Sequence, residues 1–231
     1  IVFLMSAIYN NGYIRHMKFE DKRIRFYMFM LLIFIFAMTG TALSTNLGVS
    51  WVFVEATTLA TAYLIYFNRT RNAIEAAWKY VFICSIGIAL AFVGIILLNI
   101  STGNVNTLYY SVLYSNAFQF NPFWLKAAFV FMVFGFGTKM GLAPVHFWLP
   151  DAHSESPSPI SALLSATLLN SAFLIILRVL HILELAKVDR YGRLILLVMG
   201  FASLFVTAVY VSKIKKKVRK NVTFLFQNAT Y

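Results

Sequence analysis

Six apolar runs, at approximately 26–45, 48–67, 78–99, 123–149, 159–183 and 192–212, constrain this chain more than any other feature of it. About 20 residues of helix cross a hydrocarbon core roughly 30 Å thick, and each run is that long. In lipid every backbone polar group must be satisfied within the protein, which leaves helices and closed barrels as the only spanning structures. Runs of this length and apolarity predict an all-α fold, a polytopic transmembrane helix bundle. A further apolar stretch at the start reads as the end of a helix, so the expectation is six full spans plus a partial first one. Composition agrees, with 60% hydrophobic and 12% charged residues, against roughly 45–50% and about 25% in soluble domains.

Twenty Lys and Arg against eight Asp and Glu give a formal charge of +12. Most cations stand in short runs between apolar segments, where they orient membrane helices, so nucleic acid is excluded as a partner. Five lie in 15–25, three in 68–79 and six in 213–220, whereas 46–47 and 101–121 carry none. The positive-inside rule places loops 15–25 and 68–79 and the basic tail 213–220 in the cytoplasm of a multi-pass cell-membrane protein. Loop 184–193 dissents with Lys187, Arg190 and Arg193. Segment 101–121, with Asn104, Asn106, Tyr109, Tyr110 and Tyr114, is expected as an outer loop with interfacial tyrosines. Arg178 and His181 are expected to snorkel at the outer end. The one cysteine, Cys84, excludes an internal disulfide. No phosphate-binding glycine loop, Ser-His-Asp pattern, dinucleotide fingerprint or metal-ligand set occurs, so no cofactor is expected.

Two charges lie deep within spans, Glu55 in the second and Lys139 in the fourth. Insertion scales charge about 2.5–3.5 kcal/mol for an ionised group at a helix centre, so such residues face a bundle interior and mark ion or proton routes. Should the pair approach to 4 Å, their attraction is about 4 kcal/mol at an effective dielectric of 20. Moving the carboxylate away would then favour proton release from Lys139; a static ion pair is the alternative. Lys139 belongs to a segment in which Gly135, Gly137 and Gly141 precede Pro144 and Pro150, predicting a broken helix near 135–150. His146 lies within the break, where an imidazole could pass protons; His153 and Asp151 lie nearer the inner surface. Thr167, Asn170 and Ser171 share one face of the fifth span and are candidates to line a hydrated path, Asn170 foremost.

The stretch from Lys139-Met140-Gly141 through Trp148-Leu149-Pro150-Asp151-Ala152-His153 to Pro159 resembles the signature of antiporter-like proton-translocating subunits. These occur in respiratory complex I, Mrp-type antiporters and membrane-bound hydrogenases. Val54 to Ala60, with Glu75-Ala76-Ala77-Trp78-Lys79-Tyr80, is most similar to the hydrogenase-4 and formate hydrogenlyase branch. The resemblance covers about residues 20–212. It implies two inverted five-helix repeats, of which this chain holds one at about 26–183 within a bundle at 1–212, followed by a basic tail at 213–231. It also implies that Glu55 is the family's ion-pair Glu and Lys139 its broken-helix Lys. Many complex I members carry another Lys on the next helix; 159–177 has none, and Asn170, water or His146 would serve. After Ser212-Lys213-Ile214-Lys215 the family pattern is lost, which reads as a frame disruption or split gene. The implied function is a subunit, in fragment form, of a redox-driven H⁺ or Na⁺ pump, holding no redox centre and working with other membrane and peripheral subunits. A non-transporting structural remnant is the alternative, and an unrelated carrier a third reading.

Overall fold

A computed structural model describes residues 2–16, 20–103, 105 and 107–228, with side chains described as far as residue 15 in the first stretch and 213 in the last. Asn104, Asn106 and the side chains of the basic tail beyond Lys213 lie outside the described residues.

The expected runs form helices: α2 (Asp21–Leu43), α3 (Leu47–Tyr66), α4 (Arg71–Ser101), α6 (Pro122–Met140), and a composite of α8 (Ser158–Leu163), a π-helical turn (Leu164–Leu168) and α9 (Leu169–Leu185). Then α10 begins at Asp189 and runs to Asn228, its span ending at Lys213 and its backbone continuing into the expected tail. Before them stands α1 (Val2–His16), and between spans lie the short α5 (Tyr110–Asn116) and α7 (Leu149–Glu155). Six helices are long and apolar enough to cross a membrane, and no strand occurs among the described residues.

The helix starts follow from local chemistry. Asn46 caps α3 by accepting from the Gly48 and Val49 amides, Thr70 caps α4 through Ala73, and Asn121 caps α6 through Phe123 and Trp124. Each side chain satisfies donors that the first turn leaves unpaired. Large apolar side chains such as Leu32, Phe36, Trp78 and Phe82 point outward, each more than 60% exposed, as a lipid-facing surface requires.

The packing that positions Lys139 is α4 against α6. A Cβ on Gly135 would collide with the Ala91 backbone, one on Gly87 with Thr138, and one on Gly94 would come within 2.6 Å of Met132 Cγ. Three glycines thus let the backbones approach, as small residues do in membrane bundles. Two apolar clusters fill the interior. One joins α4, α5, α6 and α9 around Phe129 and Met132; the other joins α2, α3, α4, α7 and α8 around Tyr27, Tyr80 and Trp148.

Three expectations need correcting. The fourth span ends at Met140 rather than 149, because Gly141 adopts a left-handed φ of 78° and the Leu142 amide bonds back to the Gly137 carbonyl at 2.9 Å. That is a glycine-terminated helix end. Segment 101–121 is no plain loop: it contains α5, and Tyr110 is buried, its hydroxyl 3.1 Å from Ser50 Oγ. Arg178 does not snorkel; it donates to the carbonyls of Ser44 and Ala42 at 2.9 and 2.7 Å, closing the end of α2, and lies over the Tyr110 ring. Carbonyls left open by a helix end are strong acceptors for a guanidinium.

Candidate proton-relay site

Lys139, the penultimate residue of α6, is 1% exposed. Its ammonium donates a 2.7 Å hydrogen bond to the hydroxyl of Tyr80 on α4 and sits 4.7 Å from the centroid of that ring. Tyr80 is itself fully buried and packs edge-on against Trp148 at 4.9 Å. Trp148 in turn donates from Nε1 to the Thr138 carbonyl at 2.8 Å, one residue before Lys139. The end of α6, the start of α7 and the middle of α4 therefore form a closed ring around one cation. A charge-assisted hydrogen bond contributes about 1.5–3 kcal/mol, and a desolvated aromatic face about 2 kcal/mol. Together these offset the cost, about 2.5–3.5 kcal/mol, of a cation at membrane depth. The cage can hold the ammonium without a carboxylate in contact.

No such contact exists. Ion pairs within 4.0 Å among the described residues do not include Glu55 with Lys139. Glu55 is half-buried at the ninth position of α3, roughly 12 Å along the helix at 1.5 Å per residue. Its carboxylate accepts from Thr58 Oγ1 at 3.2 Å. Thr61, one turn further on the same face and fully buried, lies beside the Tyr80 phenol. Glu55, Thr58, Thr61, Tyr80 and Lys139 thus form a polar strip that is hydrogen-bonded at its two ends and interrupted at Thr61, whose hydroxyl has no hydrogen-bond partner among the described residues. Spacing i, i+3, i+6 puts the α3 members on one face.

Beyond Lys139 the chain leaves the helix at Gly141 and resumes one at Leu149, which Pro150 follows within the first two residues, where its missing amide is harmless. The break spans 141–148 and contains Pro144 and His146. His146 Nδ1 is buried and has no hydrogen-bond partner among the described residues. His153 on α7 shares a 2.7 Å hydrogen bond with Ser161 Oγ on α8, and burial lowers its imidazole pKa below 6.5. Asp151 pairs at 2.9 Å with Lys79, which also meets Glu75 at 2.7 Å, clamping α7 to α4.

The fifth-span candidates stand apart from this strip in their bonding. Thr167 donates to the Leu163 carbonyl at 2.6 Å, Asn170 to Ala166 at 2.7 Å and Ser171 to Thr167 at 2.8 Å. Asn170 lies on the exposed side of α9. The start of α9 lies near the break: a Cβ on Gly141 would come within 3.8 Å of Leu169, the residue after the π-helical turn. Among the described residues no group of three or more His, Cys, Asp or Glu could hold a metal ion.

Sequence reasoning did not single out Tyr80, Thr58, Thr61 or Trp148. A usable signal existed for Tyr80, since a buried phenol in a span needs a hydrogen-bond partner.

Residues 44–219 match the family described as NADH:quinone oxidoreductase/Mrp antiporter, TM. The chain is 35% identical over 230 residues to a hydrogenase-4 component F homolog of Methylacidiphilum infernorum, covering 96% of this chain and 47% of that protein. It is 35% identical over 176 residues to Na(+)/H(+) antiporter subunit A1 of Staphylococcus aureus, covering 75% of this chain and 21% of that one. Among solved structures, the membrane-bound sulfane sulfur reductase, an archaeal respiratory membrane complex, contains a chain that superposes with a TM-score of 0.69 at 26% identity, covering 74% of this chain and 34% of that one. Respiratory complex I from Thermus thermophilus shares the fold, with a TM-score of 0.58 at 24% identity over 72% of this chain and 43% of that one. The chain spans about half the length of the hydrogenase-4 relative and smaller shares of the others.

Proposed function

Because the chain belongs to the NADH:quinone oxidoreductase/Mrp antiporter membrane family, we propose that it supplies one proton-conducting half-channel to a multi-subunit, redox-driven cation pump. The observation that carries this reading is the fully buried Lys139 just before a helix break, hydrogen-bonded to Tyr80, with Thr61 and the Glu55–Thr58 pair along α3. A cation held by a phenol and an aromatic face is stable when charged, yet the phenol is a neutral partner and leaves the amine able to give up its proton. Glu55 acts as the electrostatic control and proton donor on one side, and His146, with its open Nδ1, receives on the other. Water completes the steps between them, with His153 and the Thr167–Asn170 face as entry candidates.

In this reading residues of about 26–183 form one five-helix repeat, a second repeat comes from outside these 231 residues, and electron transfer belongs to partner subunits. Loops 15–25 and 68–79, with the tail from Lys213, face the cytoplasm, following their Lys and Arg content. The test is proton uptake by the assembled complex reconstituted in vesicles. Lys139→Met and Glu55→Gln each abolish uptake while assembly is retained. Unchanged uptake in Lys139→Met removes the proposal.

A further inference from the structure

At the end of the bundle where α2 begins and α3 ends, a cavity of about 710 Å³ opens between the two helices. Its rim carries Lys22, Arg23, Arg25 and Arg69, with Glu20 as the one carboxylate, and its wall is Phe26, Phe29 and Tyr63. We propose that this cavity is a binding site for an anionic glycerophospholipid, the phosphate seated among Lys22, Arg25 and Arg69 and an acyl chain lying along Phe26 and Phe29.

Four observations support it. First, the side chains of Lys22, Arg25 and Arg69 make no ion pair or hydrogen bond with any described residue. Three exposed cations therefore converge on one space with their donors unspent. Second, the fold builds the rim. Arg23 donates to the Phe67 carbonyl and stacks over the Phe67 ring at 4.8 Å, fixing the start of α2 to the end of α3. Arg69 takes a left-handed φ of 54°, a conformation that residues other than glycine seldom adopt.

Third, Lys22, Arg25, Phe26 and Phe29 follow the i, i+3, i+4, i+7 pattern of a single helix face. The cations occupy the end of that stripe and the aromatic rings the next turn, with Phe26 44% and Phe29 54% exposed. From residue 22 to 29 the stripe extends about 10 Å at 1.5 Å per residue. That is the step from headgroup to acyl chain. Fourth, Tyr63 meets Phe26 edge-on at 4.5 Å, so the aromatic wall continues from one helix to the other. A flanking charge that only orients a span needs neither a cavity nor a ring beneath it. A soluble anion would use the cations and ignore the rings, and a neutral lipid would do the reverse. Basic pockets between spans on the cytoplasmic side attract anionic headgroups by the same electrostatics.

The test uses the full chain in its assembled complex, placed in phosphatidylcholine nanodiscs with a trace of phosphatidylglycerol bearing an acyl-chain diazirine. The expected result is labelling concentrated in residues 20–29 and 63–69, competed by unlabelled phosphatidylglycerol but not by inorganic phosphate. Apparent affinity should fall about fivefold for each of Arg25→Gln and Arg69→Gln, the share of one cation near an anionic surface. Equal labelling by a phosphatidylcholine probe, labelling elsewhere, or displacement by inorganic phosphate would overturn the proposal. The wild-type map and competition decide the matter even where a variant fails to assemble.

Discussion

The hydroxyl of Tyr80 is a single atom whose removal separates two accounts of Lys139. Tyr80→Phe deletes the 2.7 Å hydrogen bond and leaves the ring under the ammonium at 4.7 Å and against Trp148. A hydrogen bond to a charged group is worth about 1.5–3 kcal/mol. At about 1.4 kcal/mol per decade, the unfolding constant should rise roughly 10- to 150-fold. In a Lys139→Met background the same change removes a hydroxyl that has lost its cation, and replacing both partners by apolar groups is nearly neutral. Its cost there should stay within about 0.5 kcal/mol, so the double-mutant cycle should give a coupling of about 1–3 kcal/mol. Denaturant unfolding in mixed micelles, followed by helical circular dichroism, measures all four corners. Equal costs in both backgrounds would show that Tyr80 stabilises the bundle by packing alone and that the cage does not hold the cation.

Gly135→Ala places a methyl group against the Ala91 backbone, so it should destabilise by roughly 1–3 kcal/mol and depress transport by displacing Lys139 from Tyr80; unchanged stability would contradict the close approach of α4 and α6. Lys79→Ala removes an exposed triad with Glu75 and Asp151, and its stability cost should be small and shrink further in high salt, as a denaturant titration at two ionic strengths measures. Because burial lowers the His153 pKa below 6.5, the unfolded chain takes up the proton first. Stability should hold above pH 6.5 and fall as pH drops from there toward the lowered native value, a slope that His153→Gln removes and a pH titration of the unfolding midpoint measures.

Apolar run length made the spans legible, and Gly141 made the start of the break legible. Hydropathy alone carried the fourth run on to 149, because Val145, Phe147 and Trp148 are as apolar as any helix face while the backbone carrying them is not helical. Hydropathy registers side chains and is blind to a left-handed φ. Likewise the inward placement of Glu55 and Lys139 followed from the cost of burying charge, whereas their partners did not. Two opposite charges at similar depth suggest an ion pair, and the structure instead gives each a hydroxyl, Thr58 for Glu55 and Tyr80 for Lys139. Which face of α4 meets α6 depends on Gly87, Gly94 and Gly135 acting together, a relation between two distant stretches that helical periodicity in one stretch does not reveal. Arg178 was misplaced for a related reason, its acceptors lying 134 and 136 residues earlier.

Proton flux through the reconstituted assembly tests the central claim most directly, with wild type compared against Lys139→Met at matched assembly. The relay account predicts that the variant carries no redox-driven flux, because the fully buried Lys139 ammonium beside the helix break is gone. Wild-type flux in Lys139→Met would contradict it and leave the buried cage as a structural element alone.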